Sequence, residues 1–195
     1  MALRTQKIIR ESFLSLLSER PFDKISVRDI AERSEISRNT FYYYYQDIYA
    51  LTEDILETEI ERVASEVEDF DSWQKAFLNA TRFASANRKA VFHIYNSANR
   101  NLIERYYRKT LQTAMLAYVR KEAEGLAVSE RKVTVLARFY AAALVGLSAD
   151  WLGDGMKGEP GAFLDDLSDM LKGNVRQALE RAAACEAGGE CAYQM

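Results

Sequence analysis

Residues 25–51 read ISVRDIAERSEISRNTFYYYYQDIYAL, and two N-cap signals in this segment point to a specific arrangement of short helices. Ser26 and Asp29 have the spacing of a capping box, in which the first hydroxyl accepts a hydrogen bond from the third backbone N–H of a new helix. Ser37 is a second N-cap, so the pattern predicts short helices over about 27–34 and 37–43, with Ile36 packed between them. Two helices of this kind, joined by a turn of three or four residues, form a helix-turn-helix.

The rest of the chain also predicts helices. Apolar residues recur at helical spacing from Leu3 to Leu17, and Asp47 can cap a long helix that reaches about Glu68. The chain contains only 2 prolines and 9 glycines, fewer turn residues than strand-rich folds usually need. We therefore expect an all-α protein. Further helices are predicted over 73–86 with Ser72 as cap, 87–98, 101–124 with Gly125 as a left-handed stop, 129–151, and 160–185 with Pro160 in the first turn.

The stretch from residue 4 to about 55 resembles the helix-turn-helix of TetR-type regulators. Ile30-Ala31 matches the Ile-Ala pair of that pattern, residues 34–37 stand for its turn, and residues 39–42 stand for its Gly-Thr-x-Tyr. The later segment FYAAALVGLSADWLGDGMKGEPGAFLDDL, residues 139–167, resembles the C-terminal domain of a TetR subgroup common in Gram-positive bacteria. The resemblance implies a three-helix DNA-binding domain over 1–50. A fourth helix would join it to a ligand-sensing and dimerisation domain, a helical bundle over 51–195.

Three positions depart from the family pattern. Glu35 replaces a turn glycine, which makes a left-handed backbone there more costly. Asn39 replaces a glycine and adds a side chain able to bind a base edge. Ile48 replaces a lysine that commonly contacts a phosphate at the start of the fourth helix, so that backbone contact is placed in doubt.

The helix-turn-helix also supplies the candidate DNA-binding residues. A recognition helix presents its N-terminal end to the major groove, where Arg pairs with guanine and Asn with adenine. Thr40 can meet a thymine methyl or a phosphate, and tyrosine hydroxyls can bind phosphates. The helix that begins at Ser26 would cross the backbone and place its N-terminus near a phosphate. The predicted set is Ser26, Arg28, Ser37, Arg38, Asn39, Thr40, Tyr42, Tyr43 and Tyr44.

The four consecutive tyrosines allow a second interpretation, in which they only pack. Phe41 and Tyr45 lie four residues apart on one helical face and are the expected core residues. Tyr42, Tyr43 and Tyr44 would then face outward, which is unusual for aromatic residues on a monomer surface. We therefore favour DNA contact over an ordinary solvated face.

Two C-terminal helices have the composition of an interface. The helix over 133–152 is apolar on nearly all sides and contains small residues that allow another helix to approach closely. With the last helix it would form a four-helix interface across a two-fold axis. The alternative is a core within one chain. The predicted dimerisation residues are Ala142, Gly146, Leu147, Leu167, Leu171 and Val175.

Aromatic residues in the helical body suggest a pocket for a mostly apolar small molecule, a possible effector. Aromatic residues at helical spacing are more often plain core, so this set carries less weight. His93 is the single histidine and has no neighbouring histidine or cysteine, so we expect no metal site. The candidate ligand-binding residues are Phe77, Phe92, His93, Tyr95, Tyr107, Tyr118, Phe139 and Tyr140.

Composition narrows the function classes. The net charge is −3 with a pI near 5.4, so DNA binding rests on local features. We find no signal peptide, no stretch of about 18 apolar residues for a membrane, and no catalytic motif. Cys185 and Cys191 lie near the end of the chain, and we expect reduced thiols in a cytoplasmic protein that needs no cofactor.

The sequence thus predicts a homodimeric repressor that binds a palindromic double-stranded operator and responds to a ligand. An activator of the same build is the first alternative. An all-α interaction module without DNA binding is the second.

Overall fold

The computed structural model describes residues 2–66, 73–158 and 164–188, and these ranges contain α-helices, one 3₁₀ turn and no strand, as the sequence predicts. The 3₁₀ turn covers Phe22–Lys24. The helices are α1 (Ala2–Glu19), α2 (Val27–Arg33), α3 (Arg38–Tyr44), α4 (Ile48–Ser65), α5 (Trp73–Ala86), α6 (Arg88–Tyr95), α7 (Arg100–Glu122), α8 (Glu130–Gly153), α9 (Leu164–Leu171) and α10 (Asn174–Glu186).

The first three helices close around a small apolar centre. Ile9, Phe13 and Leu17 recur every four residues along one face of α1 and are fully buried. Ile30 of α2 and Phe41 of α3 are buried in the same cluster. Burial of these side chains stabilises the helix-turn-helix because each removes a large apolar surface from water.

Helix α4 connects this unit to the rest of the protein and lies alongside α7. Tyr49 meets Asn101, Glu53 pairs with Arg105, and Glu57 accepts a hydrogen bond from Lys109 at 2.5 Å; each pair is 52 positions apart. A constant offset means that the two helices run in the same direction with matched turns. These pairs are exposed, so each contributes less than about 1 kcal/mol, but together they fix the register.

A second connection joins α1 to α6. The Nδ1 atom of His93 lies 2.6 Å from the backbone oxygen of Leu17. A carbonyl oxygen can only accept, so His93 carries its proton on Nδ1. Helices α5 and α7 complete the body, where the Tyr106 hydroxyl donates to the Ala80 carbonyl at 2.9 Å.

Helix α8 packs one face on α7 and leaves the other uncovered. Its buried residues recur every three or four positions from Val133 to Leu152. On the opposite face Val135 is 59% exposed and Phe139 is 67% exposed. Ala142, Ala143 and Gly146 continue that face and are also exposed.

One sequence-based expectation about α8 is wrong. Glu130–Gly153 is long and apolar enough to cross a membrane by length and composition, although we expected no such stretch, and 28% of its most apolar part is buried in the protomer. The low buried fraction follows from the apolar face that points away from α7.

The predicted single helix over 160–185 is in fact α9 and α10. Gly173 adopts a left-handed conformation with φ of 74°, which ends α9 and lets α10 begin at the next residue. Val175 and Leu179 then pack into the protomer's own core, with 3% and 1% exposure. Val175 was expected at a dimer interface, and its burial corrects that prediction.

The Ser72 cap and the Pro160 first turn fall outside the described residues, whereas α4 ends at Ser65 with Glu66 as its C-cap, three residues before the predicted Glu68. Gly125 does adopt the left-handed conformation expected after α7, with φ of 77°. Cys185 is disulfide-bonded, which corrects the expectation of reduced thiols for this residue.

Candidate nucleic-acid interface

The N-terminus of α2 is closed by the capping box that the sequence predicts. The Ser26 hydroxyl accepts the Asp29 N–H at 3.3 Å, and the Asp29 carboxylate accepts the Ser26 N–H at 2.8 Å. The Ser26 hydroxyl also donates to the Asp29 carboxylate at 2.6 Å, and this bond, with that from the Ser26 N–H and the nearby guanidinium of Arg20, lowers the pKa of Asp29 to about 2. The Ser26 N–H that was predicted to meet a phosphate is therefore engaged by Asp29.

The turn between α2 and α3 contains the backbone strain that is expected where Glu35 replaces the glycine of the family pattern. Glu35 has φ of 54°, in the left-handed region, which costs a non-glycine residue roughly 1–2 kcal/mol. The turn is held by the Ile36 N–H, which donates to the Ala31 carbonyl at 3.0 Å. Ile36 is half-buried against the core, as expected for the residue between the two helices.

Helix α3 begins with its own cap. The Ser37 hydroxyl accepts the Thr40 N–H at 3.0 Å, and the two hydroxyl oxygens lie 2.9 Å apart. Ser37 is exposed and Thr40 is half-buried. Both predicted contact residues thus also hold the start of the recognition helix in place.

One continuous face of α3 is exposed and polar. Successive residues of an α-helix turn by about 100°, so positions 38, 39, 42 and 43 share one side. Arg38 and Asn39 are exposed at its N-terminal end, Tyr42 is 55% exposed and Tyr43 is 81% exposed. Phe41 lies on the opposite side with no exposure.

Two predicted contact residues have other surroundings. Tyr44 was expected to face outward, but it is half-buried against the core, with its ring edge-on to that of Tyr43 at 5.0 Å. Arg28 is exposed, and its Nε donates to Glu32 at 2.7 Å on the same helix. An exposed pair of this kind is weak and exchanges readily with a phosphate.

The end of α3 is fixed by a group of three polar residues that the sequence analysis missed. The Tyr45 hydroxyl donates to Asp54 of α4 at 2.7 Å, and Arg10 of α1 donates to the same carboxylate oxygen at 2.7 Å. Burial and the hydrogen bond to Asp54 raise the pKa of Tyr45 to about 12. The three residues lie far apart in the sequence and form no recognisable motif, so only the fold reveals the group.

Comparison with known proteins agrees with this geometry. A family model described as "Bacterial regulatory proteins, tetR family" matches residues 9–55, and one described as "Transcriptional regulator C-terminal region" matches residues 71–173. The chain belongs to the TetR family of transcriptional regulators. The two matched ranges lie on either side of the α4 C-terminus, so TetR-family similarity extends over both the DNA-reading unit, α1 to α3, and α5 to α9 of the helical body, which comprises α5 to α10.

Two curated relatives are helix-turn-helix regulators. The dhaKLM operon transcriptional activator DhaS of Lactococcus lactis subsp. lactis (strain IL1403) is 33% identical over 84 residues, 43% of this chain and 45% of DhaS. The uncharacterized regulator YxbF of Bacillus subtilis (strain 168) is 27% identical over 114 residues, 55% of this chain and 30% of YxbF. The matches therefore span less than half the length of either relative.

Solved structures share the TetR-family fold. The dihydroxyacetone kinase operon activator DhaS superposes with a TM-score of 0.74 at 22% identity, covering 89% of this chain and 97% of DhaS. NalD, the secondary repressor of the MexAB-OprM multidrug efflux pump in Pseudomonas aeruginosa, superposes with a TM-score of 0.58 at 17% identity, covering 92% of this chain and 98% of NalD. At these identities the likeness concerns the fold.

The eight residues predicted to bind a ligand are spread over the body. Phe77, Tyr95 and Tyr107 are buried among core residues. Phe92 and His93 line a surface cleft beside α1, whereas Phe139 lies in a separate groove between α8 and α10. Tyr118 and Tyr140 are half-buried. Neither of these two cavities gathers the set.

The predicted dimerisation residues divide into two groups. Ala142 and Gly146 lie on the uncovered face of α8 together with Phe139. Leu147 of α8 and Leu167 and Leu171 of α9 are half-buried against the protomer's core. Val175 is buried, whereas Val135 and Phe139 on the outer face of α8 are large apolar side chains that stay exposed.

Proposed function

We propose that this chain is a homodimeric regulator that binds a specific double-stranded operator through the exposed face of α3. One observation carries the proposal: Arg38, Asn39, Tyr42 and Tyr43 share an exposed face on a helix whose two ends are anchored. Ser37 caps the start of that helix and Tyr45 is held at its end. A face anchored in this way can enter the major groove with little loss of conformational entropy.

The residue types suit separate roles on the DNA. Arg38 would pair with guanine and Asn39 with adenine, since both can form bidentate contacts in the major groove. Tyr42 and Tyr43 would donate their hydroxyls to phosphates on either side, with Thr40 and Tyr44 beside them. Arg28 would exchange Glu32 for a phosphate. Ser26 and Ser37 act through the helix starts that they cap.

A homodimer is supported by the outer face of α8. Val135 and Phe139 expose large apolar surface, and Ala142 and Gly146 allow close approach of a second helix. A second copy of the same face would cover it across a two-fold axis. The dimer would then present two recognition helices to successive major grooves about 34–36 Å apart, which requires a palindromic operator.

Repression is the simplest outcome, because a dimer bound over a promoter blocks polymerase. The regulator would act in the cytoplasm. It would be released from DNA by a mostly apolar effector bound in the helical body, and the aromatic residues of α5 to α8 support this part of the proposal. Activation is the second candidate. It is favoured by the 33% identity to DhaS, a named activator.

The decisive experiment is a fluorescence-anisotropy titration of the full chain against its own upstream intergenic DNA at fixed salt, with scrambled DNA as control. We expect selective binding that Arg38→Ala weakens by about 1–3 kcal/mol. Arg108→Ala is the matched control, since Arg108 is exposed on α7. Equal binding of both DNAs by the native chain would contradict the proposal. Transcription in vitro from the bound promoter then separates repression from activation by its sign.

A further inference from the structure

A cleft of about 630 Å³ lies where the DNA-reading unit meets the helical body. Ser18 and Glu19 at the end of α1 form one wall, and Phe92 and His93 of α6 form another. The loop after α8 closes the cleft with Gly155 and Lys157. Three separate parts of the chain therefore meet around one space.

The charges around this cleft are unbalanced. Arg88, Lys89 and Lys157 all line it, and Glu19 is the one carboxylate among its lining residues. Both oxygens of Glu19 accept hydrogen bonds from Arg33, at 2.8 and 2.9 Å. That pairing lowers the pKa of Glu19 and neutralises the carboxylate from outside the cleft. The remaining charge in the cleft is positive.

The cationic groups are also positioned to receive an anion. Within the described residues Lys89 and Lys157 form no salt bridge, while Arg88 lies over the ring of Trp151 at 5.8 Å and donates to the Gly158 carbonyl at 3.3 Å. His93 binds the Leu17 carbonyl through Nδ1, so the cationic donors available to an anion are the lysines and Arg88. Charged donors of this kind form the stronger hydrogen bonds with phosphate or carboxylate oxygens.

The loop carrying Lys157 is held by backbone hydrogen bonds, in which the Met156 N–H donates to the Trp151 carbonyl at 2.8 Å and the Gly155 N–H to the Leu152 carbonyl at 3.1 Å. Gly155 and Met156 both have left-handed φ values, of 74° and 58°, and the Met156 side chain is fully buried. A Cβ on Gly155 would lie 3.8 Å from the Phe92 ring, so the loop passes close to that ring. Phe92 is 38% exposed and provides an apolar surface beside the cations.

We propose that this cleft binds a small organic anion, with a phosphate or carboxylate group at Lys89 and Lys157 and an apolar part against Phe92. Of the eight residues predicted to bind a ligand, Phe92 and His93 line this cleft. The anion site goes beyond the proposed function, since its occupancy does not depend on operator binding. An anion bound here would bridge α1, α6 and the loop after α8.

Isothermal titration calorimetry of the full chain with phenyl phosphate tests the proposal directly. Phenyl phosphate joins an anionic group to a ring that can pack on Phe92. Inorganic phosphate provides the charge alone, and benzyl alcohol provides the ring without charge. We expect saturable binding of phenyl phosphate at one site per protomer, weaker binding of inorganic phosphate and none of benzyl alcohol. Absent phenyl phosphate binding, or equal binding of benzyl alcohol, would overturn the proposal.

Substitutions of the lining residues test whether phenyl phosphate binds in this cleft. Lys89→Ala with Lys157→Ala should weaken phenyl phosphate binding by roughly tenfold or more, because two charged donors are lost. Lys121→Ala with Lys172→Ala is the matched control, since both are exposed and lie outside the cleft. Phe92→Ala should weaken phenyl phosphate and leave inorganic phosphate unchanged. Unchanged binding in the first double variant, with circular dichroism showing a native fold, would refute the assignment.

The DNA backbone is another source of phosphate. The operator affinity of the Lys89→Ala, Lys157→Ala double variant, measured without added anion, should equal that of the control double variant. A loss of operator affinity as large as the loss of phenyl phosphate affinity would assign these lysines to DNA instead. The calorimetry contains no DNA, so failure of the proposed regulator to bind an operator would leave the test of the cleft intact.

Discussion

The hydroxyl of Tyr45, at the end of the recognition helix, donates to the carboxylate of Asp54 on α4 at 2.7 Å. Tyr45 is 5% exposed, whereas the Asp54 side chain is 33% exposed, so this hydrogen bond lies at the edge of the core of the DNA-reading unit. Arg10 of α1 binds the same oxygen. The direction of α3 is therefore set by two other helices as well as by its own caps.

Tyr45→Phe tests this arrangement by removing one hydroxyl. The free energy of unfolding should fall by about 1 kcal/mol, the usual net contribution of an intramolecular hydrogen bond. Operator affinity should also fall, because α3 is less well held. Tyr42→Phe is the control: Tyr42 is exposed, so operator affinity should fall with stability unchanged. Urea denaturation at fixed protomer concentration, with anisotropy on the operator, checks both. Equal stability of Tyr45→Phe and the native chain would contradict the role of this bond.

Replacement by phenylalanine should change the free energy of unfolding differently at two neighbouring tyrosines of α7. The Tyr106 hydroxyl donates to the Ala80 carbonyl, whereas the Tyr107 hydroxyl is buried with no partner in the described structure. Burial raises the pKa of both phenols. Tyr106→Phe should lower the free energy of unfolding by about 1 kcal/mol, and Tyr107→Phe should leave it unchanged or raise it, because an unpaired buried hydroxyl is costly. Chemical denaturation of the two variants gives the comparison. Destabilisation by Tyr107→Phe would mean that this hydroxyl has a bonded partner.

Gly146→Arg tests dimer formation through the outer face of α8 without disturbing the fold of the protomer. A Cβ at Gly146 meets no atom within 4 Å in the protomer, and removing a helical glycine favours the helix by roughly 0.5–1 kcal/mol. The protomer should therefore fold normally, while a dimer built on the outer face of α8 should dissociate. Sedimentation velocity measures the shift toward monomer. Gly153→Arg is the control, since Gly153 also has open space and lies at the end of α8. A dimer retained in Gly146→Arg would place the interface elsewhere.

Asp29 gives the DNA-reading unit a defined acid sensitivity. Its pKa is lowered from 3.8 to about 2 in the folded chain, so its stabilising effect is complete above pH 4 and is lost as the pH falls toward 2. The stability difference between the native chain and Asp29→Asn should therefore shrink over that interval. Thermal unfolding of both proteins between pH 5 and pH 2 measures this difference. A difference that stays constant with pH would show that the carboxylate charge is unimportant to the cap.

Local signals in the sequence predict most helix starts. Ser26, Ser37 and Asp47 each cap the helix that follows, because a cap needs only a side chain and a backbone N–H a few residues away. The burial of Phe41 and Tyr45 follows from helical spacing in the same way.

The break at Gly173 could not be predicted from apolar spacing. Leu171 and Val175 are four residues apart, and the stripe continues whether or not the helix does. A glycine within such a stripe is compatible both with a helix and with a left-handed stop, and packing decides between them. Contacts such as Arg10 with Asp54, or His93 with Leu17, connect distant positions that no local pattern links.

The register between α4 and α7 bears on how such regulators can be recombined. Asp54 belongs with the DNA reader through Tyr45 and Arg10, while Glu53 and Glu57 belong with the body through Arg105 and Lys109. A chimera joined at residue 50 would give Tyr45 a foreign α4, whereas a join after residue 55 would transplant Asp54 with its partners and leave Tyr49 and Glu53 to be matched to the host. Helix α4 thus makes specific contacts with both the DNA-reading unit and α7, and a functional graft must preserve both sets of contacts.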